Sequence, residues 1–338
     1  MKWIVAMLSL VIICAAGCGE GGKMQFRIFH AGSLSVPFQE LEKVFEKENP
    51  AIDVQREPYG SATAIRQVTE LARPADVLGS ADYRLIDRLM VQAAPKHADW
   101  NLLFARNSVG LTYVEKGDLT RENWAEVLRD PEVRVGMSNP NQDPCGYRGL
   151  FCMYLADEVL GEEGLFKELV LANSNVELEE TDDGAVIRVP EDVRYTGRLV
   201  MRPKETDLIA LLEEGAIDYL LLYQSVASQH GLGFFELPGE VNLSRADLAE
   251  TYGKVSVLQY AGQPERETPV SGGPIVYGVT IPTSAPHPEE AARFVKLLVS
   301  ERGRQVFQQN GQPPIEPPVL SPHSQVDTAP VEASKLSP

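Results

Sequence analysis

Small hydroxyl residues stand where the chain turns from a strand-like run into a helical one. Ser33 and Ser35 follow the alternating run QFRIFHA at 25–31, Ser61 follows Tyr59 and Gly60, and Thr206 opens a short helical pattern at 208–212. The first amides of a helix have no intrahelical partner, so together with the helix dipole they form an anion site that a hydroxyl can complete. The same residues are ordinary helix caps, and any one of them alone indicates nothing more. A further helix start lies in Asn139-Pro140-Asn141-Gln142-Asp143-Pro144-Cys145-Gly146-Tyr147-Arg148. There Asp143 reads as an N-cap with proline at the first helical position, which is locally a complete explanation.

No pattern for catalysis accompanies these residues. The sequence lacks a phosphate-loop Gly-Lys motif, G-x-G-x-x-G, G-x-S-x-G and His-Glu-x-x-His. Cys145 and Cys152 are seven steps apart on the helix expected after Pro144. At about 1.5 Å rise per residue they are too distant for a disulfide, so two buried free thiols are expected. A Cys145 hydrolase would need a base, and His30, His97, His230, His287 and His323 have no spacing that suggests one. Cys18 belongs to a different pattern. Lys2, the apolar run from Trp3 to Ala16, and Ala15, Ala16 and Gly17 before Cys18 read as a lipoprotein signal peptide. The run falls short of the ~20 residues that a bilayer span needs, although an uncut anchor is the alternative. The site resembles bacterial and archaeal lipoprotein cleavage sites, with Ala15 in place of the usual leucine. Residues 1–17 are thus expected to be removed, with Cys18 lipidated and 18–24 a short tether.

Strand ends must position the hydroxyls. Residues 25–31 alternate toward a strand, Gly32 and Ser33 break it, and Ser35-Val36-Pro37 opens a helix with Phe38, Leu41, Val44 and Phe45 on one face. The unit recurs as a strand at 52–54, a turn at Tyr59-Gly60-Ser61, and a helix over 62–71 with Ile65, Val68 and Leu71 inward. A strand at 75–79 then leads into a helix ending near Met90. Strand, tight turn and helix in repetition is α/β architecture. Residues 104–114 read as one long strand. Strands at 133–137 and 219–223, helices at 146–159 and 208–212, and a charged hairpin over 179–199 with a mobile tip at Asp182-Asp183-Gly184 make a second series. A strand at 275–281 returns to the first domain, and two helices follow it to Gln309. Prolines at 317, 318, 322 and 330 predict a disordered tail over 313–338.

A chain of 338 residues suits two domains of common size. With 43% hydrophobic and 23% charged residues it is a soluble folded protein rather than a disordered, collagen-like or polytopic membrane chain. A net charge of −17 argues against nucleic acid as a partner, because such binders need a basic surface to displace phosphate counterions. Any bound anion has to be held locally.

Several stretches together carry a resemblance. They are Phe29-His30-Ala31-Gly32-Ser33-Leu34, Tyr59-Gly60-Ser61, Ala75-Asp76-Val77, Phe104-Ala105-Arg106-Asn107, the 139–148 run, Arg202-Pro203-Lys204-Glu205-Thr206-Asp207, and Ser225-Val226-Ala227 with Gln229-His230. Through them, residues 26–309 resemble the archaeal-type tungstate/molybdate-binding proteins, the extracytoplasmic receptors of oxyanion ABC importers. The resemblance implies a type II periplasmic-binding-protein fold, with two α/β domains joined by crossing strands and a ligand cleft between them. Domain I is expected from 25–108 with 276–312, and domain II from 109–275. By position, Ser33 and Ser61 would donate to the oxyanion from domain I, while Asn141, Asp143 and Tyr223 would face it from domain II. The implied protein is a monomeric receptor rather than an enzyme. It has no cofactor beyond its tungstate or molybdate ligand, a permease partner, and a lipid anchor in the membrane.

In this family an Asp and a Glu can also approach the metal of the anion. Asp143 matches the Asp. An alignment through Gly215, Asp218, Tyr219, Tyr223 and Ser225 sets Leu222 where the Glu stands, directly before the tyrosine. Asp143 is then expected as the sole protein ligand to tungsten or molybdenum, with four or five oxygen neighbours. A carboxylate beside a dianion is repelled unless it binds the metal, is protonated, or turns to cap its helix. Sulfate or phosphate is the alternative cargo for the same donors, and a Cys145 hydrolase is the remote third reading.

Overall fold

The computed structural model describes residues 22–114, 119–181 and 184–324. The expected signal peptide, Cys18, the hairpin tip at 182–183 and residues 325–338 lie outside the described residues.

Strands β1 (Met24–Ala31), β2 (Ile52–Tyr59) and β3 (Val77–Ser80) run parallel, and the helices Ser35–Glu48 and Ser61–Thr69 make the crossovers that parallel pairing requires. β4 (Leu102–Arg106), β5 (Val109–Tyr113) and β6 (Val135–Ser138) precede a hairpin of β7 (Glu177–Thr181) and β8 (Gly184–Pro190). Then come β9 (Leu199–Arg202), β10 (Tyr219–Tyr223), β11 (Gly233–Glu236), β12 (Val255–Ala261) and β13 (Thr268–Ser271). β14 (Val276–Thr280), the helices Pro288–Val299 and Glu301–Gln309, and β15 (Pro314–Leu320) complete the chain.

These strands form a six-stranded sheet in the order β15-β4-β14-β3-β1-β2, a five-stranded sheet β11-β5-β10-β6-β9, and a four-stranded sheet β13-β12-β8-β7. Phe38, Leu41 and Phe45 face inward as the helical spacing predicts, and Phe26, Phe38 and Phe45 close around Phe294 at centroid distances of 5.4–5.9 Å. The Pro144–Leu160 helix is buried throughout 144–156 and packs on β5, β6, β10 and β12. A helix covered on every side has no polar stripe, which is why its sequence is apolar all round.

Four expectations are corrected. The long strand at 104–114 is two strands, because the chain changes sheets at Asn107 and Ser108. There the Asn107 amide replaces the ladder, donating to Ser225 Oγ (2.7 Å) and Tyr277 OH (2.8 Å) and accepting from the Ser108 and Ser225 N–H groups. The tail is not disordered from 313, since β15 pairs with β4 at the edge of the six-stranded sheet, where missing N–H donors are tolerated. Beyond it, Ser321 Oγ is bound to Asp87 Oδ1 at 2.6 Å. Leu71 is 62% exposed, because the helix that was to turn it inward ends at Thr69. The hairpin expected over 179–199 is the shorter β7–β8 pair, and Leu199 opens β9.

Candidate functional site

Five polar side chains sit at or just beyond the C-terminal ends of strands. Ser33 follows β1, Ser61 follows β2, Asp143 follows β6, Glu205 follows β9, and Tyr223 ends β10; all five are buried. In open α/β sheets this edge is where ligands bind. The two groups of strands meet here without room to spare. A Cβ added at Gly60 would lie 2.4 Å from the Gln142 carbonyl oxygen, and one added at Gly32 would lie 3.2 Å from Glu205 Oε1. Glycine at 60 is thus required by close approach to the Gln142 backbone, while a side chain at 32 would press on the Glu205 carboxyl.

The hydroxyls are oriented by the groups behind them. Asn107 Nδ2 donates to Tyr277 OH, which donates in turn to Ser33 Oγ at 3.0 Å. The Ala81 N–H donates to Ser61 Oγ at 2.9 Å, and Arg148 Nη1 donates to Tyr223 OH at 2.7 Å. Each hydroxyl accepts from a donor, so its own proton is left to point onward. Three hydroxyls prepared in this way are donors for an anion.

Two carboxyls stand beside them. Asp143 caps its helix by accepting from the Cys145 N–H at 3.1 Å, and its other oxygen accepts from the Glu205 N–H at 2.8 Å. Burial, with the charge of Asp143 next in importance, pushes the Glu205 carboxyl well above the usual range, which favours its protonated form.

Beneath the site, buried Arg148 also donates to the Ala81 carbonyl at 2.8 Å and lies 3.5 Å from Asp82 Oδ2, which accepts from Tyr147 OH at 2.7 Å. Burial alone would raise the Asp82 carboxyl, but Arg84 and Arg148 outweigh it and hold it below the usual carboxylate range. A charged pair here fixes the arginine that orients Tyr223.

Of the residues singled out from sequence, Ser33, Ser61, Asp143 and Tyr223 converge. Asn141 does not face the same point: its Nδ2 donates to the Pro190 carbonyl at 2.8 Å and its Oδ1 accepts from the Tyr260 N–H at 3.0 Å, so it holds the loop before Asp143. Leu222, set by the alignment at the position of the second carboxyl, offers no carboxylate there. Leu222 and Tyr223 are both wholly buried at the end of β10. A different carboxyl, that of Glu205, stands beside Asp143. Glu205 lies in the quoted 202–207 run, but no strand is expected before it, so its position beyond a strand end emerges only with β9. Cys145 and Cys152 are free and buried. Burial, followed by the charge of Asp143, raises the Cys145 thiol well above its ordinary range, which removes the thiolate that a hydrolase would need. Among the described residues no group of three or more His, Cys, Asp or Glu side chains forms a site for a metal ion.

The family model of bacterial extracellular solute-binding proteins matches residues 26–312. A curated relative, the molybdate/tungstate-binding protein WtpA of Pyrococcus abyssi, is 40% identical over 93% of this chain and 93% of its own. Among solved structures, the periplasmic molybdate-binding protein of Azotobacter vinelandii superposes with a TM-score of 0.58 at 16% identity, covering 85% of this chain and 98% of that one. The sulfate-binding protein SubI of Mycobacterium tuberculosis superposes with a TM-score of 0.54 at 14% identity, covering 87% of this chain and 88% of that one. The fold is the type II periplasmic-binding-protein fold, two α/β domains with the strand-end site between them. The chain belongs to the bacterial extracellular solute-binding proteins, extracytoplasmic receptors rather than enzymes.

Proposed function

We propose that the protein captures tungstate or molybdate outside the membrane and delivers it unaltered to an ABC permease. The observation that carries this reading is the pairing of Asp143 and Glu205 opposite the oriented hydroxyls of Ser33, Ser61 and Tyr223. A ring of O–H donors suits any tetrahedral dianion. Once both are ionised, two carboxylates in the same ring oppose a dianion unless its central atom accepts their oxygens. Tungsten and molybdenum expand their coordination in this way, and the sulfur of sulfate and the phosphorus of phosphate do not. Asp143 and Glu205 would each supply an oxygen to the bound metal, Glu205 after losing its proton. The relative from Pyrococcus abyssi, which bears the name of this activity, supports the same reading.

Competition calorimetry tests it. Tungstate and molybdate are expected to bind, with sulfate and phosphate weaker by about 100-fold or more, the ~2.7 kcal/mol of two tenfold steps. Sulfate or phosphate binding as tightly as tungstate would overturn it.

The strand membership of the sheets supports a domain I built from 25–108 with the chain from 276 through β15, and a domain II from 109–275. The crossings at Asn107-Ser108 and at 273–275 would then act as the hinge. Lipidation of Cys18 rests on the small residues before it and the Gly-rich stretch after it. Each buried CH₂ of such an anchor adds ~0.8 kcal/mol of membrane affinity. Cys18→Ser protein should appear in the soluble fraction; unchanged membrane association would refute the anchor.

A further inference from the structure

Tyr260 lies in β12 with φ of +53°, at the register shift between Gln259 and Ala261. A bulky side chain disfavours that backbone region, and such residues persist only where their surroundings overdetermine them. Here the surroundings do so. The Tyr260 N–H donates to Asn141 Oδ1 and its hydroxyl donates to the Asn141 carbonyl, both at 3.0 Å. The same hydroxyl accepts from Arg66 Nη1 at 3.0 Å. The Arg266 guanidinium covers the ring at 4.2 Å from its centroid, and Arg66 lies at 5.4 Å.

The two ends of this connection belong to opposite sides of the anion site. Arg66 rides on the Ser61–Thr69 helix, whose first residue is the donor Ser61. Asn141 lies two residues before Asp143. One hydroxyl therefore ties the helix that presents Ser61 to the loop that presents Asp143, and the Gly60–Gln142 approach is a second contact of the same helix and loop. We propose that Tyr260 is a positioning residue: through Arg66 and Asn141 it fixes the distance across the cradle from Ser61 to the Asp143–Glu205 pair, and it holds the closed cradle around the captured anion. This inference rests on the receptor function proposed above.

The test is stopped-flow fluorescence with sodium tungstate on the full mature chain. Arg66→Ala, which loses one hydrogen bond to a charged donor, should speed dissociation about tenfold, and Tyr260→Phe, which also loses the bond to the Asn141 carbonyl, at least as much, with association within about twofold of the parent. The double variant should dissociate no faster than the worse single variant, because both changes break one connection. Arg66→Lys should recover part of the loss. The ligand-free Arg66→Ala protein should melt within about 2 °C of the parent, since Arg66 is half exposed and its bond spans the two halves. Dissociation rates equal to the parent's, or effects that multiply in the double variant, would overturn the proposal while leaving the receptor function intact. A parent protein that binds no tungstate would overturn both.

Discussion

The two halves of the site use different chemistry. From the six-stranded sheet come Ser33 and Ser61, neutral hydroxyls aimed by Tyr277 and by the Ala81 amide. From the five-stranded sheet come Asp143 and Glu205, with Tyr223 aimed by a buried arginine. Hydroxyl donors respond to charge and size, which tungstate, molybdate and sulfate share in large part. Carboxyls respond to whether the central atom takes another oxygen ligand, which these anions do not share. On the proposed function, one half would read the class of anion and the other the element.

Substitutions can separate the two roles. The largest effect is expected where the halves touch: Gly60→Ala puts a methyl group 2.4 Å from the Gln142 carbonyl oxygen, so the cleft cannot close. Overpacking of this kind costs ~1–3 kcal/mol, and tungstate affinity by calorimetry should fall by up to about 100-fold in a protein that stays folded. Ser61→Ala removes a charge-assisted donor and should weaken tungstate, molybdate and sulfate together, by about 10- to 100-fold. Glu205→Gln should act unequally, weakening tungstate about tenfold while sulfate binding holds or improves, because it removes a carboxyl that only a metal centre rewards. A uniform loss across the three anions would dissolve the distinction between the halves.

A pH effect sharpens the same contrast. Burial and the charge of Asp143 raise the Glu205 carboxyl in the ligand-free protein, so it must release a proton to act as a ligand. Tungstate affinity should then rise with pH while Glu205 is protonated beforehand, at most about tenfold per unit, and level off above its titration. Calorimetry in buffers of different ionisation enthalpy should count a released proton in the parent and none in Glu205→Gln. The smallest effect belongs to Cys152→Ala. It removes a buried thiol remote from the anion and should lower stability by about 1 kcal/mol with binding unchanged.

The sequence disclosed the donor half better than the carboxyl half, for physical reasons. Ser33 and Ser61 follow alternating or β-rich runs and open amphipathic helices, so both periodicities mark them. Glu205 lies between Lys204 and Asp207, where a charged residue looks solvated, and only the course of β9 shows that it turns inward. Asn141 carried the right chemistry in the right loop, but its partners Pro190 and Tyr260 come from strands far away in sequence. The break at Asn107 was hidden because strand-like runs flank it on both sides and neither Gly nor Pro stands at Asn107-Ser108 itself. The proline-rich 314–320 segment reads as disorder until the sheet edge that accommodates it is known.

X-ray absorption spectroscopy at the tungsten edge, on the tungstate complex of the unmodified protein, addresses the central claim directly. If Asp143 and Glu205 both bind the metal, the spectrum will show six oxygen neighbours, four close and two farther, and Glu205→Gln will change that shell. Four equivalent oxygens in both proteins would mean that the carboxyls do not touch the metal and that the site does not read the element through them.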